Sequence, residues 1–207
     1  MSNKVAIINY GLGNHFSVQK KMNRIGVDVV TTSNAIDIQQ ADKIILPGVG
    51  HFGRAMENLH QLDIIKVLNE EVLEKKKPIL GICLGMQLFA SVSEEGDTKG
   101  LGWIEATVEK FNVNNHLKYK VPHTGWNQIE IAKESSRLLK NIDALTEFYF
   151  VHSYHFNCKE QEDVLCSTNY EFEFVSAVER NNIYGTQFHP EKSHGAGVQL
   201  LKNFIEL

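Results

Sequence analysis

Short apolar runs recur along the first half of the chain, and each is followed by a segment long enough for a helix. The runs cover residues 5–9, 27–32, 43–46 and 78–82. Apolar residues fill successive positions in them, which predicts strands that are buried on both faces of a sheet. Strands that alternate with helices in this way predict a parallel, doubly wound sheet with right-handed crossover connections.

Two segments show the spacing of amphipathic helices. In residues 63–76, the positions that recur at steps of three and four residues are Ile64, Val67, Leu68, Glu71 and Val72. Residues 193–207 place Val198, Leu201 and Ile205 on one helical face. The first pattern predicts a helix between two strands, and the second predicts a helix that closes the fold.

The second half of the chain has a different pattern, in which strand-like runs are separated by turns rich in Asn, Lys and Glu. The runs cover residues 104–111, 128–131, 148–151, 164–167, 174–179 and 183–187. They predict antiparallel strands that extend the sheet. The predicted fold class is therefore α/β, with a doubly wound, mainly parallel sheet and an antiparallel extension in the second half.

The composition narrows the class of protein. Of the 207 residues, 43% are hydrophobic and 22% are charged, as is typical of a globular protein. We expect one domain spanning residues 1–207, because no repeat, low-complexity tract or linker interrupts the chain. The net charge is −4 and the basic residues are spread along the sequence, so we expect no nucleic-acid partner.

The apolar runs also bear on location. None approaches the length of about 18 residues that a membrane span requires, so we expect no membrane association. The sequence starts without the long apolar region of a secretory signal peptide. We therefore expect a cytoplasmic protein.

Three cysteines are present, Cys83, Cys158 and Cys166, and no two of them form a C-x-x-C pair. This number and spacing argue against both a disulfide framework and a zinc site. We expect no metal, no cofactor and at least one free thiol.

Cys83 stands between a predicted strand and a helical pattern, with Gly81 and Gly85 two residues away on either side. This is the G-x-C-x-G pattern of a nucleophile elbow, a turn so tight that side chains at the flanking positions would clash. Such a turn exposes its central side chain, and the start of a helix favours the thiolate form of a thiol. We therefore predict that Cys83 is a nucleophile and that Cys158 and Cys166 are packing residues.

A cysteine nucleophile needs a base, and His189 is the strongest candidate among the histidines. It ends a predicted strand and is followed by Pro190 and Glu191. The proline restricts the backbone, and the carboxylate can hold the imidazole in one tautomer. The sequence thus predicts a Cys–His–Glu arrangement.

A glycine-rich loop at residues 47–53 follows the third predicted strand, at the same edge of the sheet as the elbow. Its backbone N–H groups, together with that of Leu84, can form an oxyanion hole. The same loop has the dinucleotide-binding spacing at Gly48, Gly50 and Gly53, but it follows the third strand and lacks an acid at the next strand end. A non-catalytic nucleotide-binding module is therefore the alternative from another class.

Three strings, PGVGHFG, GICLGMQLF and FHPEKS, occur in this order and resemble the motifs of class I (triad) glutamine amidotransferases. Three more, INYGLGN, PHTGWN and YFVHSYH, are similar to motifs of the glutaminase subunits of imidazole glycerol phosphate synthases. The resemblance implies a flavodoxin-like fold and hydrolysis of glutamine to glutamate and ammonia. It also implies a (β/α)₈-barrel cyclase subunit that uses the ammonia to make imidazole glycerol phosphate and AICAR in histidine biosynthesis.

The resemblance implies catalytic roles for individual residues. Cys83 would form a γ-glutamyl thioester, His189 would act as acid and base, and Glu191 would orient the imidazole. The oxyanion hole would be formed by Val49 and Gly50 together with Leu84.

The resemblance also implies residues that bind glutamine or the partner. The substrate-binding residues would be Gly48, Gln87, His152, Ser153 and Tyr154. Gln87 lies four residues after Cys83, one helical turn along the same face. Trp126, Tyr149 and Lys192 would contact the partner near the ammonia passage, with core packing as the alternative for the two aromatic residues. A protein of this kind is expected to be stimulated by its partner, since unpartnered turnover would waste glutamine.

Several questions stay open from the sequence. His51 and Thr124 depart from the pattern of the family, and their roles are not indicated. The string HPEKSHGAGVQLLKNF resembles subunits that serve surface-polysaccharide pathways, so a sugar amidotransferase is the alternative acceptor of the ammonia. A metal hydrolase based on His152 and His155 is disfavoured, because no acidic ligand accompanies them.

Overall fold

Alternate side chains of the first strand point into two different hydrophobic cores. Ala6 and Ile8 belong to one core, whereas Val5 and Ile7 belong to the other. Because successive residues of a strand face opposite sides, a sheet with a core on each side carries helices on both faces. The computed structural model of the protein describes residues 4–207. Residues 1–3, which the predicted domain includes, lie outside the described residues.

The strands and helices of the described part follow the chain in a simple order. The strands are β1 (Lys4–Ile8), β2 (Asp28–Thr32), β3 (Lys43–Gly48), β4 (Ile79–Cys83), β5 (Val92–Ser93), β6 (Thr98–Lys99), β7 (Ala106–Lys110), β8 (His123–Gln128), β9 (Glu130–Ile131), β10 (Glu147–His152), β11 (Tyr154–Cys158), β12 (Val164–Tyr170), β13 (Phe172–Arg180) and β14 (Ile183–Thr186). The α-helices are α1 (His15–Arg24), α2 (Ala35–Gln40), α3 (Phe52–Gln61), α4 (Ile65–Asn69), α5 (Leu84–Gln87) and α6 (His194–Ile205). No helix among residues 4–207 is long and apolar enough to span a membrane.

The main sheet has the strand order β2-β1-β3-β4-β14-β13-β11-β7-β5-β6, and β12 pairs with β13 and with β9. The strands from β2 to β14 in this order pair in parallel. Beyond β14 the pairs are antiparallel, except that β5 and β7 are parallel. The predicted α/β class, with a parallel sheet and an antiparallel extension, is confirmed. One detail is wrong: β2 is an edge strand with an exposed Asp28, so it is not buried on both faces.

The prediction that every strand of the second half extends the sheet is also wrong. β8 and β10 form a separate two-stranded antiparallel sheet. β11 was not predicted; in the structure only Ser153 separates it from β10. At Ser153 the chain crosses from the small sheet into the main sheet, where β11 pairs with β7 and β13.

The predicted helix at residues 63–76 is present as α4, continued by a π-helical turn at Glu70–Glu74. The five positions identified by spacing are all buried, Glu71 included. Its carboxylate is paired with Lys75 and Lys77, the latter at 2.6 Å. A carboxylate is buried only when it has such partners, which reconciles Glu71 with its place on the apolar face.

The parallel strands bring the chemically interesting segments to one edge of the sheet. Gly48, at the end of β3, pairs in register with Cys83, at the end of β4. On the other side of β4, Thr186 of β14 pairs with Ile82. The residues that follow β14 therefore emerge beside Cys83, as expected for a site at the carboxyl edge of a parallel sheet.

Candidate active site

The turn at Cys83 joins β4 directly to α5. Cys83 has φ 55° and ψ −112°, a conformation that residues with a Cβ seldom adopt. A Cβ on Gly85 would lie 1.7 Å from the carbonyl oxygen of Leu46, and one on Gly81 would lie 2.6 Å from Cζ of Phe89. Both flanking glycines are therefore required by close approach, as the elbow pattern predicts.

The helix that follows the elbow is short. α5 has four residues, and hydrogen bonds of the helical and 3₁₀ type extend the turn only to Ala90. A single turn supplies a weak dipole, so its contribution to the thiolate is small. Cys83 also lies close enough to His189 to raise the pKa of that histidine.

His189 and Glu191 form a buried pair. Nδ1 of His189 lies 2.8 Å from Oε1 of Glu191, and both side chains are almost fully buried. Nε2 of His189 has no hydrogen-bond partner among residues 4–207. Burial disfavours the imidazolium, but the charge of nearby Cys83 and the bond to Glu191 outweigh it and raise the pKa of His189 to about 10. The predicted Cys83, His189 and Glu191 thus lie together, in an arrangement that favours the imidazolium form of His189.

Backbone contacts hold His189 against the small sheet. Its N–H donates to the Tyr149 carbonyl at 2.9 Å. The Ser193 hydroxyl donates to the His189 carbonyl at 2.6 Å and accepts from the Tyr149 N–H at 3.0 Å. Ser193 therefore ties β10 to the histidine, a role that its position in the sequence did not indicate.

A cavity of about 300 Å³ opens beside Cys83. The predicted residues that line it are Val49, Gly50, Leu84, Gln87, His152, Ser153 and Tyr154. Gly48 does not line it but is buried against Tyr10, whose hydroxyl oxygen would lie 2.3 Å from a Cβ at this position. Gly48 thus allows the close approach of Tyr10, whose pKa is raised by burial and by the charge of Cys83.

A wider cleft of about 1030 Å³ adjoins this cavity at Ser153. Its walls include Lys110, His116 and Lys120, and no cysteine lines it. The smaller cavity is the candidate active site because it contains the thiol.

Glu95 lines the cavity and was not predicted. Its Oε2 accepts the backbone N–H of Phe52 at 2.7 Å. Burial raises the pKa of the Tyr154 hydroxyl, as do the charges of Glu95 and Glu94. One end of the cavity is therefore negatively charged. An acidic residue in a polar loop gives no pattern from which this position could be found.

The backbone N–H groups that the glycine-rich loop would offer to a nucleotide are already hydrogen-bonded within the protein. Nδ1 of His51 accepts the Gly53 N–H at 3.1 Å, which makes His51 the N-cap of α3, and Glu95 accepts the Phe52 N–H. A phosphate at this helix start would meet the Glu95 carboxylate instead of free N–H groups. Val49 and Gly50 line the Cys83 cavity, which favours the oxyanion-loop interpretation.

Two glutamines connect the cavity wall to the sulfur. Nε2 of Gln87 donates to the Tyr154 carbonyl at 3.0 Å and to Oε1 of Gln187 at 2.9 Å. Nε2 of Gln187 donates to Sγ of Cys83 at 3.5 Å, and the thiol itself faces the Val151 carbonyl at 3.9 Å. Gln187 ended a predicted strand but had no predicted role.

The histidines considered for a metal are engaged otherwise. Nδ1 of His152 contacts the Tyr154 carbonyl at 2.7 Å, and its Nε2 contacts Nδ1 of His123 at 3.1 Å. His155 packs against Phe111 and Phe172. Within residues 4–207, no group of three or more His, Cys, Asp or Glu side chains is arranged to hold a metal ion.

The residues expected at a partner interface lie on the surface near His189. Trp126 pairs with Tyr149 across β8 and β10, and Nζ of Lys192 lies 5.5 Å from the centre of the Tyr149 ring. Trp126 is 43% exposed and stacks on His194, so the core-packing alternative is wrong for it. Tyr149 is half-buried. Thr124 is exposed on the same strand.

Comparison with known proteins identifies the family. A family profile described as "Glutamine amidotransferase class-I" matches residues 6–207. "Imidazole glycerol phosphate synthase subunit HisH 2" of Methanococcus maripaludis is 48% identical over 202 residues, which cover 98% of this chain and 98% of that protein. "Imidazole glycerol phosphate synthase subunit HisH 1" of Campylobacter jejuni is 48% identical over 204 residues, 98% of this chain and 100% of that protein.

A solved structure has the same fold at low identity. A glutamine amidotransferase from Thermotoga maritima superposes with a TM-score of 0.66 at 17% identity, over 100% of this chain and 82% of that one. The profile match and the two relatives show that the chain belongs to the class I family of glutamine amidotransferases.

Proposed function

We propose that the chain is a glutaminase subunit that hydrolyses glutamine to glutamate and ammonia and passes the ammonia to a synthase. The observation that carries this proposal is the Cys83 thiol on a cavity wall beside the buried His189–Glu191 pair. We propose one amidotransferase domain for the whole chain, since the family profile spans residues 6–207.

The first half of the reaction releases ammonia. The Cys83 thiolate attacks the side-chain amide carbon of glutamine, and the carbonyl oxygen becomes an oxyanion. Backbone N–H groups of Leu84 and of the Val49–Gly50 loop are proposed to stabilise that oxyanion. The His189 imidazolium then donates a proton to the amide nitrogen, the C–N bond breaks, and ammonia leaves a γ-glutamyl thioester on Cys83.

The second half restores the enzyme. Neutral His189 accepts a proton from water as the water attacks the thioester carbon. The C–S bond breaks, the sulfur leaves as the thiolate, and glutamate is released. Glu191 acts through His189, because its carboxylate contacts Nδ1 of the imidazole and helps to raise its pKa, which favours the imidazolium that serves as the acid.

Charge and hydrogen-bond chemistry indicate how glutamine is held. The Glu95 carboxylate is proposed to bind the positively charged α-amino group, since it places a negative charge on the cavity wall. Both amide protons of Gln87 are used within the protein, which leaves its carbonyl oxygen for the substrate. His152, Ser153 and Tyr154 would contact the amino-acid end, because the crossing between β10 and β11 lines the cavity there.

The acceptor of the ammonia is proposed to be a (β/α)₈-barrel cyclase subunit, which would make imidazole glycerol phosphate and AICAR in histidine biosynthesis. Relatives that match almost the whole chain are named HisH subunits of imidazole glycerol phosphate synthase. Trp126, Tyr149 and Lys192 would form the contact, because these exposed or half-buried groups lie next to the segment that carries His189.

A sugar amidotransferase is the second candidate acceptor. The string HPEKSHGAGVQLLKNF, at residues 189–204, resembles subunits that serve surface-polysaccharide pathways and supports this second acceptor. Cys83 and His189 perform the same reaction in either case, so the choice depends on the partner surface alone.

Replacement of Cys83 by Ala tests the proposed function. In the assembled complex with the cyclase of the same genome, C83A is expected to lower glutamine-dependent turnover at least about a thousandfold, since the nucleophile is lost. Turnover with added ammonium salt is expected to stay at the wild-type level. Glutamine-dependent activity that survives C83A would contradict the nucleophile, and stimulation of the wild-type chain by a sugar amidotransferase but not by the cyclase would select the second acceptor.

Replacement of Glu95 by Gln tests substrate binding. The amide keeps an acceptor for the Phe52 N–H but loses the charge, so the KM for glutamine is expected to rise about tenfold to a hundredfold. The value of kcat should change less than about threefold, because the lost contact stabilises bound glutamine and the transition state equally. Glu94→Gln is the matched control, since Glu94 binds the Lys110 N–H outside the cavity. An unchanged KM in E95Q would contradict the assignment.

Replacement of Glu191 by Gln tests the charge balance at His189. The carboxylate raises the pKa of His189, so its loss is expected to lower that pKa from about 10 toward the ordinary value. A fall of about one to two pH units is the size expected for one opposite charge in hydrogen-bond contact. NMR titration of the imidazole C–H, assigned with a His189→Asn variant, measures it. A pKa that does not fall would show that Glu191 does not support the imidazolium.

A further inference from the structure

The carbonyl oxygen of Tyr154 receives two side-chain hydrogen bonds. Nδ1 of His152 lies 2.7 Å from it and Nε2 of Gln87 lies 3.0 Å from it. A backbone carbonyl can only accept, so both side chains must donate to it. This requirement fixes the His152 tautomer and the orientation of the Gln87 amide.

The orientation of the Gln87 amide determines the donor at the nucleophile. Nε2 of Gln87 also faces Gln187 at 2.9 Å, so Gln187 must present its Oε1 there. The opposite orientation of the Gln187 amide would bring two N–H donors together. Gln187 must therefore direct its own Nε2 at Sγ of Cys83, 3.5 Å away. The donor at the sulfur is thus determined by the fixed carbonyl of Tyr154.

The His152 tautomer has a consequence for the small sheet. Because Nδ1 of His152 donates, its Nε2 accepts from Nδ1 of His123 at 3.1 Å. Nε2 of His123 is then an acceptor, and Nδ2 of Asn127 faces it at 3.4 Å. Asn127 lies on β8 next to the exposed Trp126. The contacts form one continuous path from β8 to Sγ of Cys83, here called the Asn127–Gln187 chain: Asn127, His123, His152, the Tyr154 carbonyl, Gln87 and Gln187.

The surroundings keep both histidines of this chain neutral. His123 is buried and stacks on Tyr170 at 4.0 Å and on Phe150 at 4.9 Å between ring centres. Burial lowers the pKa of His123 to about 4. Burial, together with the nearby imidazoles His123, His155 and His189, holds the pKa of His152 well below its ordinary value. Each neutral ring has one donor and one acceptor, as the chain requires.

We propose that Gln187 is a catalytic residue whose amide N–H stabilises the Cys83 thiolate, and that the Asn127–Gln187 chain holds this amide in place from the surface of β8. The proposal rests on the proposed function only in taking Cys83 as the nucleophile. Hydrogen bonds to an ionised acceptor are stronger than those to a neutral one, so the Gln187 bond favours the thiolate over the thiol. A partner that docks on β8 at Trp126 would contact the outer end of the chain.

Alkylation of Cys83 tests the role of Gln187 without any glutaminase assay. Gln187→Met keeps the size but removes the donor, so iodoacetamide is expected to modify Cys83 about threefold to tenfold more slowly at neutral pH. At strongly alkaline pH, where the thiol ionises without help, the two rates should converge. The peptides of Cys158 and Cys166 serve as internal standards, because burial raises the pKa of both thiols to about 12.

Gln128→Met is the matched control, since Gln128 is exposed on β8 and outside the chain, and it should react like the wild type. Equal rates for Q187M and wild type at neutral pH would overturn the role of Gln187. A rate that is lower at every pH would mean lost access to the sulfur and would also overturn it. Thermal unfolding checks that each variant folds, and Gln187→Leu, which also removes the donor and adds no charge, takes the place of Q187M if that variant does not fold.

A double-mutant cycle tests the chain itself. His123→Phe keeps the ring stack and removes both hydrogen bonds, so it should slow the alkylation of Cys83. If H123F does not fold, Asn127→Leu at the surface end of the Asn127–Gln187 chain is used instead. If the chain acts through Gln187, adding H123F to Q187M should slow the reaction no further. If the rate of the double variant is reduced by the product of the two single reductions, His123 and Gln187 act independently, and the proposed connection between them is overturned. If the alkylation results are as expected but the protein has no glutaminase activity, the proposed function is wrong and the Asn127–Gln187 chain of hydrogen bonds is not.

Discussion

The structure depends on the close approach of the Cys83 turn to the end of β3. Gly85 touches the Leu46 carbonyl so closely that no Cβ fits, and Cys83 adopts a positive φ at the end of β4. This approach places Cys83 in register with Gly48, so the glycine-rich loop at the end of β3 starts beside Cys83. The loop, the thiol and the segment after β14 meet there because neighbouring parallel strands end at the same edge of the sheet.

Electrostatic compensation explains how so many polar groups are buried at this edge. His189 is almost fully buried, and an isolated imidazolium there would be strongly disfavoured. Cys83 and Glu191 reverse that preference, which is why the pKa of His189 is raised although burial alone would lower it. Histidines without such partners behave in the opposite way, as the lowered pKa of His123 shows. The pKa values of two buried histidines are thus shifted in opposite directions by their neighbours.

The sequence was most informative where burial leaves a local pattern. Core strands such as β3 and β4 were found because both of their faces are apolar, and the elbow was found because close packing excludes a Cβ on either side of Cys83. The pairing of β8 with β10 could not be predicted, since the residue pattern of a half-buried strand indicates which side chains are buried but not which strand lies beside it. The size of the α5 dipole could not be judged from the sequence, because the run of apolar residues after Cys83 does not show where the helix ends.

The roles of Glu95 and Gln187 could not be predicted from a local sequence pattern, because they depend on contacts between distant parts of the chain. Gln187 contacts a residue that lies 104 positions away, and Glu95 acts through a cavity that forms only in the folded chain. Ser193 is similar, since its hydroxyl joins two segments that are distant in sequence. Such roles depend on single polar atoms, and a polar residue in a loop or at a strand end is usually only solvated.

The Cys83 sulfur is proposed to form a covalent bond to the side-chain carbonyl carbon of glutamine. Rapid acid quench of the chain, assembled with its acceptor and turning over glutamine, followed by mass spectrometry of the peptides, measures that bond directly. We expect a γ-glutamyl adduct on the Cys83 peptide that is absent without glutamine. Turnover of glutamine with no adduct on Cys83, or with the adduct on Cys158 or Cys166, would contradict it.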